Sequence, residues 1–173
     1  MTRQTKGNLI AGIGIAALLA LTMFAARSAP AINVTAYNGL IYAEMGPLVS
    51  ALQKRGAHVT TLWHDAQATD TRCPDYIIGH SMGGNAAIRQ AEKCQAAGHP
   101  PKVIIVIDAG RAPLTFTVPA TAKYACVSYY NPLHPIGGQY VAGKCTNHLV
   151  TGYDHIYMPV APPVVRGVLA TVK

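Results

Sequence analysis

Between an apolar run, Tyr76 to Ile78, and a small-residue helical pattern lies Gly79-His80-Ser81-Met82-Gly83-Gly84. A Gly-x-Ser-x-Gly turn between a strand and a helix holds its serine in a strained backbone conformation and lifts the hydroxyl clear of the sheet. Only small neighbours tolerate so sharp a bend. Ser81 is therefore the candidate nucleophile. A serine hydroxyl reacts poorly unless a base takes its proton, an acid orients that base and donors wait for the oxyanion.

Seven histidines compete for the role of base. His155, in Gly152-Tyr153-Asp154-His155, follows the last strand and precedes the terminal helix, and a glycine-containing loop there can turn back over the sheet edge. It is the expected base, and His134 is its strongest rival. His80 is adjacent to Ser81, so strand-to-turn geometry points it away from the hydroxyl, where it would support the turn. Asp108 ends the most apolar strand and is the expected acid, because a buried carboxylate needs a partner to offset its desolvation. Capping the loop 109–112 is its alternative duty, and Asn131 is the fallback as the base's orienting partner. Asp154 cannot orient His155, since adjacent side chains diverge. The expected oxyanion donors are the backbone N–H of Met82 and one from the loop around Gly39, Leu40 and Ile41.

Other chemistries fit less well. His58, His64, His80 and His148 show no HExxH or comparable ligand spacing, so no metal is expected. No GxGxxG fingerprint follows an early strand, and no cofactor is expected. The formal charge is +7, but Arg3, Lys6 and Arg27 supply part of it from the first segment and the remaining cations are scattered. A nucleic-acid partner would need a dense basic patch interleaved with aromatics, which is missing from the sequence.

The first segment reads as an export signal. Arg3 and Lys6 precede an apolar run over residues 9–26, and Ala29-Pro30-Ala31 offers a small-x-small cleavage site. The run is also just long enough to span a bilayer, so membrane association through it is the alternative to its removal. The division expected is a signal peptide or anchor over 1–31 and one domain over 32–173, facing an extracytoplasmic space, periplasmic or secreted. Cys73, Cys94, Cys126 and Cys145 form an even set without a CxxC pair, which suits an oxidising compartment. Of the three possible connectivities, the local one joins Cys73 to Cys94 and Cys126 to Cys145.

Strands are expected at Ile32 to Tyr37, Ala57 to Trp63, Asp75 to Gly79, Val103 to Ile107 and near Tyr124 to Tyr130. Helices are expected at Ile41 to Lys54, at roughly Met82 to Ala97 and from Pro162 or Pro163 onward. Val103-Ile104-Ile105-Val106-Ile107 does not alternate, as befits a central parallel strand covered on both faces. Residues 133–152 read as loops or a short edge hairpin. The order describes an α/β fold, a three-layer sandwich around a mostly parallel sheet. Such sheets place their sites at the carboxyl ends of strands, where both Ser81 and Asp108 fall.

The elbow, the acid after the next strand and the late histidine together resemble the α/β-hydrolase superfamily, and more narrowly its small secreted esterase, lipase or thioesterase-like members. The resemblance covers residues from Ile32 onward and is detailed only at Gly79-His80-Ser81-Met82-Gly83-Gly84. It implies a minimal α/β-hydrolase fold without the usual initial antiparallel strands. Ser81, Asp108 and His155 would form the triad and act on a small-molecule or lipid-like acyl ester or thioester through an acyl-enzyme. An acid directly after the strand following the elbow resembles a minority lipase arrangement; most members carry it one strand later, near Asn131 here. Eleven residues separate Trp63 from Asp75, short for the helix that normally joins these parallel strands. An eroded layout would leave one sheet face open, and a catalytically degenerate binding or scaffolding protein of the cell envelope is the alternative function.

Overall fold

Side chains along β1 (Ile32–Asn38) alternate between two apolar cores: Val34 and Ala36 enter one, Tyr37 the other. β4 (Val103–Ile107) does the same with larger residues, sending Ile105 and Ile107 to the first core and Ile104 and Val106 to the second. A strand buried on both faces has no polar side, which explains its unbroken apolar run. The computed structural model describes residues 31–39, 44–110 and 116–173. The expected export segment, apart from Ala31, and the candidate donors Leu40 and Ile41 lie outside them.

The main sheet runs in the order β2-β1-β3-β4-β6-β8, and every neighbouring pair is parallel. Its other members are β2 (Ala57–Trp63), β3 (Tyr76–His80), β6 (Ala125–Tyr130) and β8 (Thr146–Leu149). Two-residue strands β5 (Thr117–Val118) and β7 (Ala142–Gly143) pair separately. Helices α1 (Gly46–Gln53) and α3 (Pro162–Thr171) cover the first core with Leu48, Leu52, Val164 and Val168. The second is covered by α2 (Met82–Ala96), whose Ala86, Ala87 and Ala91 let it sit close to the sheet. The result is the three-layer α/β sandwich, with Ile32–Lys173 as one compact unit. Among the described residues, no helix is long and apolar enough to cross a membrane.

Two elements differ from expectation. Within the described residues the first helix begins at Gly46, not before Met45, because Pro47 is accommodated in a helix's first turn but not in its interior. Residues 146–149, read as loop or hairpin, form the sixth parallel strand. All four are exposed, so their side chains carry no alternation signal. Backbone pairing with β6 and the Cys126–Cys145 disulfide hold them instead.

The short connection from β2 to β3 is a single 3₁₀ segment, His64–Ala68, followed by chain without regular structure. Polar side chains on α2 hold it where a helix would have used apolar packing. Gln90 Nε2 donates to Arg72 O at 2.6 Å, and Lys93 Nζ donates to Asp70 O at 2.7 Å. Asp70 accepts the Tyr37 hydroxyl at 2.8 Å and pairs with Arg72, while Cys73 is bonded to Cys94 of α2. Replacing Cys73 and Cys94 together by serine should lower unfolding free energy by about 3 kcal/mol in urea titration, the entropic value for a loop of this size. An unchanged midpoint would mean that the polar contacts suffice without the crosslink.

Candidate active site

Ser81 stands between β3 and α2 with φ +55° and ψ −124°, a left-handed conformation that non-glycine residues rarely adopt. What holds it there is backbone contact on both sides. A Cβ on Gly79 would strike the Gly83 carbonyl group, and one on Gly83 would strike the Tyr37 carbonyl group. The two glycines let strand and helix meet main chain to main chain. Ser81 N–H donates to Ile107 O at 3.1 Å, and Gly84 N–H donates to Ser81 O at 3.0 Å.

The loop after β8 carries His155 back over the rim. Its Nε2 lies 2.9 Å from Ser81 Oγ, and its Nδ1 lies 2.6 Å from Asp108 Oδ2. A continuous hydrogen-bonded line therefore joins hydroxyl, imidazole and carboxylate, although the three residues come from distant parts of the chain. In this geometry the imidazole can take the serine proton while Asp108 holds the tautomer with Nε2 facing Ser81.

Asp108 is fully buried and itself adopts φ +46°. Its Oδ2 also receives His134 Nδ1 at 2.5 Å, and Oδ1 accepts the Asn131 backbone N–H at 3.1 Å. Burial alone pushes this carboxyl up; the bonds from His155, His134 and Asn131 N–H outweigh it and hold the carboxyl below the ordinary aspartate range. His134, the rival base, meets the acid rather than the serine, and its Nε2 lies 2.6 Å from Tyr153 O. The Asn131 backbone N–H braces Asp108 from just beyond β6. Asp154 accepts the N–H groups of Ile156 and Tyr157 and caps that turn. Asp108, His134 and His155 also form a group of metal-ligating types with their ligand atoms within 4.8 Å of one another. Those atoms are engaged in the hydrogen bonds just described.

Met82 opens α2, so its N–H belongs to the helix's first turn, where amides have no intrahelical acceptor. Leu40, the second candidate donor, lies outside the described residues. Gly137 crowds the candidate base: a Cβ there would collide with the His155 ring, whereas one on Gly110 would make only an ordinary contact with Ser81 Oγ at 3.6 Å. Sequence reasoning missed Gly137 and also Glu44. Glu44 Oε1 accepts Gly39 N–H at 2.7 Å and stands 2.8 Å from His80 Nδ1, within ion-pair reach though off the line of a straight hydrogen bond. Its signal was available: one of only seven acids in the chain, set in an apolar stretch.

No protein-family model matches the sequence, and no curated protein does. Solved structures do match. Human thioesterase 2 is 11% identical with a TM-score of 0.53, over 82% of this chain and 94% of that one. A chain from the work on LipS and LipT, two metagenome-derived lipolytic enzymes, is 11% identical with a TM-score of 0.58, over 82% and 94%. Naproxen esterase from Bacillus subtilis is 8% identical with a TM-score of 0.56, over 83% and 84%. This is a minimal α/β-hydrolase fold. At such identities the likeness lies in the architecture of the hydrolase fold, and the parallel sheet with helices on both faces accounts for it.

Two outcomes test this geometry. Gly137→Ala should displace His155 from Asp108 and slow reaction of Ser81 with a fluorophosphonate by about 100-fold, the scale of an ångström-sized misplacement; an unchanged rate in folded protein would contradict the crowding. Because the folded carboxyl of Asp108 lies below its unfolded value of about 3.9, it adds stability above that pH and loses it as pH falls through the folded value. Thermal midpoints should therefore drop on acidification more steeply in the wild type than in Asp108→Asn. Parallel curves would show that the carboxylate is not the stabilising group.

Proposed function

We propose that the chain is a serine hydrolase that cleaves a carboxylic ester or thioester through an acyl-enzyme. The observation that carries this reading is the line Ser81 Oγ, His155 Nε2, His155 Nδ1, Asp108 Oδ2, with separations of 2.9 and 2.6 Å. Ser81 attacks the carbonyl carbon as His155 removes its proton, and Asp108 stabilises the imidazolium that forms. The tetrahedral oxyanion takes a hydrogen bond from Met82 N–H and a second from the loop around Leu40. His155 then returns its proton to the leaving alcohol or thiol. In the second half it activates water, which releases the acid and regenerates the hydroxyl. None of these steps calls for a cofactor.

The relatives in fold include proteins described as thioesterases, an esterase and lipolytic enzymes, which supports the acyl class of substrate. The paired cysteines support a working life in an oxidising, extracytoplasmic compartment.

One observation favours a second reading, a binding module. A cleft of about 360 Å³ lies beside the short β2–β3 connection, lined by Thr35, His58, Thr60 and Arg72 among others. That cleft occupies the face where a crossover helix would otherwise pack.

A fluorophosphonate probe separates the two. The hydrolase reading expects covalent labelling of the wild type, loss of labelling in Ser81→Ala, and a fall of at least about 10³-fold in hydrolysis of short acyl esters in that variant. Folded wild-type protein that neither labels nor hydrolyses any ester or thioester in a chain-length panel would overturn it and leave the binding module.

A further inference from the structure

His80 and Glu44 are almost wholly withdrawn from solvent, with side chains 0% and 3% exposed. Neither belongs to the hydrogen-bonded line of Ser81, His155 and Asp108. A buried carboxylate and a buried imidazole are costly to desolvate, and each calls for compensating polar neighbours. Their partners show where the compensation comes from. Glu44 Oε1 accepts Gly39 N–H at 2.7 Å and faces His80 Nδ1 at 2.8 Å. On the other side of the ring, His80 Nε2 lies 2.9 Å from the backbone carbonyl of His155.

The chemistry of these atoms fixes the bonding. A carbonyl oxygen only accepts, so Nε2 carries hydrogen and donates to His155 O. Glu44 Oε1, already accepting from Gly39, stands 2.8 Å from His80 Nδ1, at ion-pair distance without the alignment of a hydrogen bond. The two residues thus form one contact pair. One end of it grips the chain immediately after β1, and the other grips the main chain of the residue whose ring faces Ser81. The two imidazoles also pack against each other, with centroids 4.8 Å apart. Gly39 itself lies against the elbow, where an added Cβ would press on Ser81 Cβ.

We propose that Glu44 and His80 are a buried positioning pair that locks the loop carrying His155 to the chain leaving β1, so that the base and the backbone at Gly39 beside Ser81 are set as one unit. The proposal rests on the serine-hydrolase reading for its kinetic consequence, but its structural consequence stands apart from that reading. Both residues act through others: His80 through the His155 carbonyl, Glu44 through His80 and Gly39.

Glu44→Gln keeps the shape and removes the charge, and His80→Gln keeps a donor towards His155 O. Each single variant should lower kcat on an acyl ester about tenfold with KM unchanged within about twofold, a cost of the kind that small misplacement of a base incurs. The double variant should lose no more than the worse single one, because both remove the same link. Hydrogen exchange followed by mass spectrometry supplies the readout independent of activity. Glu44→Gln should speed exchange at Gly39 and also in the peptide covering residues 153–157, which Glu44 reaches only through His80. Faster exchange at Gly39 with an unchanged 153–157 peptide would overturn the proposal, as would kcat losses that multiply in the double variant. If Ser81→Ala costs nothing while the coupled exchange effect is present, the hydrolase reading fails and the positioning pair stands.

Discussion

The carboxylate of Asp108 is the point on which the second half of the molecule turns. It is buried at the end of β4, where nothing in its own strand can satisfy it. Three N–H donors reach it instead, from the Asn131 backbone, the His134 ring and the His155 ring. They come from two stretches of chain that would otherwise be poorly specified. The turn at 131–134 after β6 and the loop at 153–155 are brought together by one charge that must not be left unpaired. Tyr153 O, bonded to His134, closes the arrangement by tying the loop of His155 to the second ring that meets Asp108.

The architecture was readable wherever side-chain pattern carried the information. β4 announced itself through five branched residues without a polar face, and the elbow through glycines that the main-chain contacts at Gly83 and Tyr37 make necessary. The candidates Ser81 and Asp108 could be named from their places at strand ends and His155 from the loop after the last strand, and the three side chains lie within hydrogen-bond distance of one another in sequence along a line. What could not be read depends on partners distant in the chain. β8 is a strand by virtue of its backbone neighbour and has no apolar alternation to display. The roles of His134, Glu44 and Gly137 are set by three-dimensional neighbours 26, 36 and 18 residues or more away, as at His134 with Asp108, Glu44 with His80, and Gly137 with His155. No local spacing encodes such meetings.

The connection between β2 and β3 shows how a small chain manages with an element reduced. Eleven residues hold one 3₁₀ turn, so apolar burial on that side is limited. The replacement is polar and directional. Gln90 and Lys93 of α2 take up carbonyl groups of the connection, Asp70 is shared by Tyr37 and Arg72, and a disulfide fastens the end of the connection to the helix. Hydrogen bonds of this kind each contribute modestly, but losing one would strand a buried partner. The elbow helix therefore serves two neighbours at once: its amino end adjoins Ser81 and its flank holds the crossover.

An all-parallel sheet has no hairpins in it, so every strand pairing waits on a crossover and contacts between distant segments dominate folding. The meetings at Asp108 and Ser81 follow that rule. His155 reaches Ser81 across 74 positions of the chain and Asp108 across 47. The sharp turn at Ser81 is shaped by its own neighbours in β1, β3 and α2. The hydrogen-bonded line therefore exists only once the loop bearing His155 has docked, and a chain that folds around the elbow alone holds a bent turn without its imidazole.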